Sequence, residues 1–166
     1  MIIICRQGIH GVLMLLLYLA MVRASAMPSP LDKASFYSAM ASNSMEAVDL
    51  ALAEVRQTDI PEKTAYEGAL LMKKAGLSSK SKEKMKLFKA GHAKLESAIK
   101  NDNEVVEYHF IRLMIQENSP KVVRYKGDLE KDAELVTASF KTLAPVVQQA
   151  IRDYSKTSSF LNSRDF

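Results

Sequence analysis

The chain has 166 residues, of which 48% are hydrophobic and 25% are charged, and its formal net charge is +4. A chain of this length suits one domain with a substantial apolar core. Because 23 basic residues are opposed by 19 acidic ones, the charge is too balanced to favour nucleic acid as the main partner. The single cysteine, Cys5, excludes an intrachain disulfide framework.

Residues 1–26 are predicted to form a signal peptide. Arg6 precedes the uncharged run from Val12 to Val22, and small residues follow near Ala26, where signal peptidase cleaves. The run has eleven residues, fewer than the roughly 20 that span a bilayer as a helix; a retained membrane anchor is the alternative. Cleavage near Ala26 would export a cysteine-free chain of 140 residues and net charge +2 to the periplasm or the cell exterior.

The remaining chain is predicted to be a helical domain over residues 27–156. Only four glycines lie in it, and alternating β-branched runs are almost absent. Asp32 is predicted to cap a first short helix. After a polar break at residues 42–44, Ser44 is predicted to cap a second helix with apolar residues at spacings of three and four.

The third and fourth helices are predicted on either side of a serine-rich break. Pro61 ends the preceding unit and can start the third helix, which Gly76 is predicted to stop. The fourth helix, over residues 80–103, has apolar residues at spacings of three and four, with one histidine among them. This narrow seam consists of Met85, Phe88, His92, Leu95 and Ile99.

The fifth helix, over residues 103–118, is apolar on more than half of its circumference and is predicted to lie at the centre of the fold. Ser119 precedes a proline, and the residue before a proline avoids the helical region, so the helix is predicted to end there. Residues 121–126 fit either a short strand or an extended connector.

The last helical segment is predicted to break near Leu143, because Pro145 removes one backbone donor. A final helix then runs from about Pro145 to Tyr154. Residues 157–166 are predicted to form a flexible C-terminal tail, since they are mostly polar.

The stretch from Ala93 to Ile115 resembles the junction between two tetratricopeptide repeats. An Ala-Ile helix end, the polar turn Asn-Asp-Asn and a tyrosine-containing next helix follow one another in the order found there. More broadly, residues 60–156 look like small exported proteins of Bacteroidetes-type bacteria. That resemblance implies export and a helical fold, and it implies no reaction mechanism.

Residues that could carry catalysis are few. The exported chain has no cysteine and no Gly-x-Ser-x-Gly elbow, so no nucleophile is evident. His92 and Glu96 are four residues apart and could face one metal ion, but zinc needs three or four ligands and no further ligand motif is present. We therefore predict no catalytic residue, metal or cofactor, and a hydrogen-bonded core position for His92.

His109 and Arg112 on the fifth helix allow two interpretations. They are three residues apart, so their side chains can share one face. As a functional pair they could bind a carboxylate or phosphate, with the guanidinium making two parallel contacts. As a structural pair, Arg112 would instead bind Glu107 or an acid on the next helix, and Tyr108 would fill the hairpin.

A run of lysines marks the segment from the third helix into the fourth. Eight lysines lie within residues 73–94, opposed only by Glu83. They form either a solvated helix face or a surface for an anionic partner, such as lipopolysaccharide, membrane headgroups or an acidic protein. The predicted basic patch consists of Lys80, Lys82, Lys84, Lys86 and Lys89.

Together these features predict an all-α fold of six to seven helices, packed as antiparallel hairpins in a tetratricopeptide-like array. The predicted function is non-enzymatic protein–protein interaction, as an adaptor or scaffold, through a groove between hairpins. A small-ligand-binding domain, with His92 and His109 facing a pocket, and an enzyme are the alternatives. A homodimer could cap an exposed end of the array. The predicted partner-binding residues are Tyr66, Lys73, Lys74, His109 and Arg112.

Overall fold

The computed structural model describes residues 31–166, which form seven α-helices and no β-strand. The all-helical prediction is thereby confirmed, while the predicted signal peptide and its cleavage site lie outside the described residues. The helices are α1 (Lys33–Ala41), α2 (Met45–Gln57), α3 (Lys63–Leu77), α4 (Ser81–Asn101), α5 (Val106–Asn118), α6 (Leu129–Ser139) and α7 (Pro145–Ser155). Short 3-10 turns occupy Lys121–Val123, Phe140–Thr142 and Ser163–Asp165.

The helix starts follow the local chemistry of the chain. The Asp32 side chain accepts a hydrogen bond from the backbone nitrogen of Ala34 at 3.0 Å, and Ser44 accepts one from Ala47 at 3.2 Å. Both predicted caps are confirmed, since each satisfies a backbone donor that the first helical turn leaves free. Pro145 is the first residue of α7, where a missing donor costs nothing.

Helix α5 lies at the centre of the fold, as its apolar circumference predicts. Every residue from Glu107 to Gln116 is buried. Because an α-helix turns once every 3.6 residues, burial over ten successive residues requires neighbours on all sides. Those neighbours are α3, α4, α6 and α7, together with α1, whose Tyr37 donates a hydrogen bond to Glu107. Any charged side chain on α5 must therefore find its partner inside the protein.

Helices α3 and α4 approach most closely where two glycines face each other. A Cβ atom added to Gly91 would lie 2.5 Å from the carbonyl oxygen of Gly68, and one added to Gly68 would lie 2.8 Å from the carbonyl oxygen of Gly91. Real Cβ atoms do not approach backbone that closely, so the crossing depends on both glycines. Helices adjacent in sequence pack together along the chain from α1 to α6, while a regular tetratricopeptide array stays a prediction.

The segment after α5 is not a strand. Lys121–Val123 forms a 3-10 turn, Arg124 then adopts a left-handed conformation with φ 51°, and Tyr125 is buried. This irregular path places the Tyr125 ring against α4, with its centroid 4.6 Å from that of His92 and 5.9 Å from that of Phe88.

Residues 157–166, predicted as a flexible tail, pack against the domain. Leu161 is 2% exposed, and the Phe166 ring lies 4.9 Å from that of Phe140. Glu117 of α5 accepts hydrogen bonds from the Ser158 hydroxyl at 2.7 Å and from the backbone nitrogen of Ser159 at 2.6 Å. The segment thus has apolar and polar contacts that its composition alone does not reveal.

None of the helices in the described part of the chain combines the length and the apolar character needed to cross a bilayer.

Candidate functional site

Three features of residues 31–166 could carry function: a buried cluster between α5 and α6, a second buried cluster around Glu107, and a groove between α1 and α7. In the first, which we call the Asp132 cluster, Asp132 of α6 is 0% exposed. The Arg112 guanidinium holds it with two parallel hydrogen bonds, from Nε to Oδ2 and from Nη2 to Oδ1, each 2.7 Å long. This fork geometry makes the strongest kind of ion pair available to side chains.

His109 completes the Asp132 cluster from one turn earlier on α5. Its Nδ1 lies 2.8 Å from Oδ1 of Asp132, and its Nε2 lies 3.0 Å from the backbone oxygen of Asn103. Asn103 belongs to the polar turn that precedes α5. Both ring nitrogens are therefore engaged, and the imidazole links that turn to α6.

The outer side of the Asp132 cluster reaches α4 and the turn before α6. Arg112 Nη1 lies 3.3 Å from Glu96 Oε2 and 3.6 Å from Asp128 Oδ2. The Tyr125 hydroxyl donates a short hydrogen bond to the other oxygen of Glu96. Three carboxylates thus surround one guanidinium, which ties together helices α4, α5 and α6.

The environment keeps this ion pair charged. Burial alone would raise the pKa of Asp132, but hydrogen bonds from Arg112 and His109 outweigh it and hold that pKa below its ordinary value. Burial would likewise lower the pKa of Arg112, yet the hydrogen bonds and charge of Asp132 raise it instead. Burial and the hydrogen bond to Glu96 raise the pKa of the Tyr125 hydroxyl, which stays a donor.

The geometry of the Asp132 cluster matches the structural interpretation of His109 and Arg112. Arg112 pairs with an acid on the next helix, as that interpretation proposes, and it does not pair with Glu107. His109 is 1% exposed and Arg112 is 6% exposed, so their predicted place on a partner-binding surface is corrected. Burial on a central helix leaves neither side chain free to contact a partner.

Acid should remove the stability that the Asp132 cluster contributes. A carboxyl group whose folded pKa is depressed stabilises the fold above its unfolded pKa of about 3.9, and that contribution is lost as pH falls through the folded pKa. We therefore expect the Asp132 carboxyl carbon, followed by NMR in ¹³C-labelled protein, to titrate below the ordinary aspartate value. Titration at or above that value would mean that the ion pair does not offset burial.

The second cluster, the Glu107 cluster, buries a carboxylate on the α1 side of α5. Glu107 accepts hydrogen bonds from the hydroxyls of Tyr37 at 2.8 Å and Tyr66 at 2.6 Å, and from Lys33 at 2.8 Å. Burial and the Glu107 charge raise the pKa values of both tyrosines, which remain protonated donors. Tyr66 is 0% exposed, so its predicted role on a partner surface is also corrected.

The two neighbouring lysines of α3 differ in their surroundings. Lys74 forms a short ion pair with Asp49 of α2. Lys73 lines the groove described next and forms no ion pair with any described residue. Burial lowers the pKa of Lys73, since desolvation disfavours its charged form. Among the five predicted partner-binding residues, Lys73 is therefore the one that the structure brings to a cavity with an amine available.

The third feature, which we call the α1–α7 groove, has a volume of about 580 Å³. Helices α1, α5 and α7 form it, with Lys73 contributed by α3. Its polar lining residues include Asn118, Gln149 and Asp153. Its apolar lining comes from all three helices and includes Met40, Met114, Ile115, Val146 and Ala150.

His92 lies outside these three features. It is half-buried against Phe88 and Tyr125, and Glu96 is bound to Tyr125 and Arg112 instead of sharing a ligand with it. Within residues 31–166, no group of three histidine, aspartate or glutamate side chains is arranged to hold a metal ion, and no buried side-chain nitrogen or oxygen lacks a hydrogen-bond partner. Both buried clusters are therefore internally satisfied.

Asp132 was not singled out from the sequence, and Glu107 was considered only as a partner of Arg112, although the sequence holds a signal that each acid is buried. Asp132 lies three residues after Leu129 and four before Val136, so it falls on the apolar stripe of α6. Glu107 lies three residues before Phe110 on a helix with little polar surface. An acid on an apolar stripe must find a buried partner or stay out of the core.

Comparison with protein-family models, with curated proteins and with solved structures finds no match to this chain.

Proposed function

We propose that the chain is a non-enzymatic protein-interaction domain that binds a short segment of a partner protein in the α1–α7 groove. The main support for this proposal is an apolar groove of about 580 Å³, which is lined by Lys73, a lysine that forms no ion pair with any described residue. The matching segment is a short amphipathic helix with an apolar face and one acidic side chain. Helix-in-groove recognition of this kind relies on apolar anchors one turn apart.

The dimensions and lining of the groove support a helical segment. Its long walls are α1 and α7, with 9 and 11 residues, and a helix of that length spans about 14–17 Å. Two to three turns of a partner helix would fit alongside them. Met40 and Met114 line the groove, and the flexible methionine side chain adapts its shape to apolar partners.

Lys73 would supply the polar contact that orients the segment. Its amine forms no ion pair with any carboxylate among the described residues, and it is half-buried. An acidic side chain of the partner would restore the charged form that burial disfavours. The neighbouring Lys74 is already paired with Asp49 and would contribute little.

The buried clusters support a binding role over catalysis. The best acid–base candidates, His109 and Asp132, bind each other and Arg112 inside the core. A general acid or base must lie within hydrogen-bond reach of its substrate, and these side chains are 1% and 0% exposed. Binding in the groove does not require any side chain of the two buried clusters to break its present hydrogen bonds.

A small apolar carboxylate is the second candidate ligand, because the groove volume falls within the roughly 300–1,000 Å³ typical of small-molecule sites. The pocket predicted from the sequence, with His92 and His109 facing it, is not where this cavity lies. Dodecanoate would serve as the probe. Its binding at micromolar concentration, without any selected peptide, would favour this candidate.

The test is a selection of helical peptides from a display library against the full chain. We expect the selected peptides to carry an apolar stripe and an acidic residue. Ala150→Glu places a charge in the groove and should weaken their binding at least tenfold, or about 1.4 kcal/mol. Ala138→Glu makes the same change on an exposed position of α6, outside the groove, and should leave Kd unchanged.

The contact with Lys73 has its own matched control. Lys73→Met should weaken an acidic peptide about tenfold, as expected for one lost charged contact, and should not affect the same peptide with glutamine at the acidic position. Lys74→Met removes the same charge from the adjacent residue and should change neither affinity. Equal affinities for Ala150→Glu, Ala138→Glu and the unchanged protein would refute the groove as the binding site.

Export to the periplasm or the cell exterior, inferred from residues 1–26, belongs to the same proposal. It would place the groove in contact with exported or envelope proteins. Detection of the protein only in the cytoplasm of the cells that make it would contradict that part alone.

A further inference from the structure

Helix α4 presents a face of lysines with no acidic partners. Lys82, Lys86 and Lys89 follow one another at spacings of four and three, so they lie on one side of the helix. All three are exposed, and none forms an ion pair with any residue of the described chain. By contrast, Lys94 of the same helix pairs with Glu67 at 2.9 Å. The packing side of α4 is marked by Gly91 and is turned away from this face.

Exposed apolar side chains accompany the lysines. Met85 lies between Lys82 and Lys89 along the helix and is 49% exposed. One turn later on the same stripe, Phe88 contacts Tyr125, which directly follows residues 121–124 in the chain. That segment adds a valine, Val122, that is 85% exposed. We call these residues the α4 basic surface: Lys82, Met85, Lys86, Lys89, Lys121, Val122 and Arg124.

We propose that the α4 basic surface docks on an anionic phospholipid bilayer. A plane of lipid headgroups presents diffuse negative charge, which suits mobile lysine ammonium groups, and its boundary with the acyl chains accepts apolar side chains such as Met85 and Val122. The surface shares no residue with the α1–α7 groove. Docking on lipid would thus be independent of the partner that we propose for the groove.

The composition of the surface favours lipid over an acidic protein or a single-stranded nucleic acid. Protein interfaces are enriched in aromatic residues, methionine and arginine and depleted in lysine, whereas this surface has four lysines against one methionine and one arginine and no exposed aromatic ring. Single-stranded nucleic acids need exposed aromatic rings on which bases stack. The nearest rings, Phe88 and Tyr125, pack against each other and are at most half-exposed.

The test compares the full chain on two kinds of vesicle, phosphatidylcholine alone and phosphatidylcholine mixed with phosphatidylglycerol. The measured quantity is the ratio of the two partition coefficients, because any contribution of the apolar run at residues 12–22 is common to both. Each lysine near an anionic surface adds about fivefold to partitioning. Replacing Lys82, Lys86 and Lys89 by glutamine should therefore lower the ratio on the order of 100-fold.

A matched triple variant separates the α4 basic surface from net charge. Lys131→Gln, Lys141→Gln and Arg164→Gln also remove three exposed cations, and they lie on other elements. This control should keep the ratio within a fewfold of the unchanged protein. Equal losses in the two triple variants, or a ratio near one for the unchanged protein, would overturn the proposal. Thermal melting of both variants checks that each is folded.

Discussion

Replacing Arg112 by alanine should lower the free energy of unfolding by about 3–5 kcal/mol, the usual cost of leaving one charge of a buried pair behind. Asp132 is 0% exposed and receives two hydrogen bonds of 2.7 Å from the guanidinium. Without them, burial would raise the pKa of Asp132, and His109 would be its only remaining polar partner. Such a loss is a large part of the 5–15 kcal/mol that stabilises a typical domain.

Urea unfolding followed by circular dichroism would measure this loss, and the chain offers a matched control. Arg56 likewise pairs with a carboxylate, at 2.9 Å from Glu67, but its side chain is 52% exposed. Arg56→Ala should cost no more than about 1 kcal/mol, because water screens exposed pairs. If the two alanine variants lost the same free energy, the Asp132 cluster would not be a buried ion pair.

A double variant tests whether the loss comes from the stranded charge. Arg112→Met combined with Asp132→Leu removes both members of the pair and replaces them with apolar side chains. It should unfold with a higher free energy than Arg112→Ala alone, since an apolar pair of similar volume has no charge to desolvate. A double variant less stable than the single one would show that packing of the guanidinium, and not charge, dominates.

The Asp132 cluster shows which features of the fold can be predicted from the sequence and which cannot. The apolar circumference of α5 predicts its central position, because that inference needs only the helical period. It does not predict which way His109 and Arg112 point, since the partner Asp132 lies 20 residues beyond Arg112 on a helix whose rotation is set by tertiary packing. Helix ends were easier to predict, because caps such as Asp32 and Ser44 act within one turn.

Two adjacent lysines show that the surroundings of a side chain cannot be predicted from the sequence alone. Lys73 and Lys74 are indistinguishable in the sequence, yet one lines the α1–α7 groove and the other pairs with Asp49. Successive helical residues point about 100° apart, so the choice depends on how α3 rotates against α2. A groove between hairpins was predicted, but not one with these walls, because α1, α5 and α7 are distant in the chain and meet only in the folded protein.

The second variant with a large expected effect on the free energy of unfolding replaces a glycine. Glycine has a low intrinsic helix propensity. Gly91→Ala should lower the free energy of unfolding by about 3 kcal/mol, the upper range for overpacking a tight contact. The new Cβ would lie 2.5 Å from the carbonyl oxygen of Gly68 and 2.9 Å from the backbone nitrogen of Met72. Backbone atoms cannot rotate aside as side chains can, so α3 and α4 would have to separate.

Gly76→Ala is the control, and its expected effect has the opposite sign. Gly76 lies in α3, and apart from its chain neighbours and the backbone of its own helical turns, no atom lies within 4 Å of the position that a Cβ would occupy. Alanine there should raise the free energy of unfolding by up to about 1 kcal/mol, because it restricts the unfolded chain and favours the helix. Both variants can be measured by the urea titration used for Arg112.

The signs of the changes in unfolding free energy for Gly76→Ala and Gly91→Ala distinguish the effect of helix propensity from the effect of helix packing. Propensity alone would make alanine stabilising at Gly76 and Gly91 alike, whereas the close crossing makes Gly91 the exception. Gly68→Ala should behave like Gly91→Ala, since its Cβ would lie 2.8 Å from the carbonyl oxygen of Gly91. Stabilisation by alanine at all three positions would mean that α3 and α4 lie farther apart than the close contact of Gly68 and Gly91 implies.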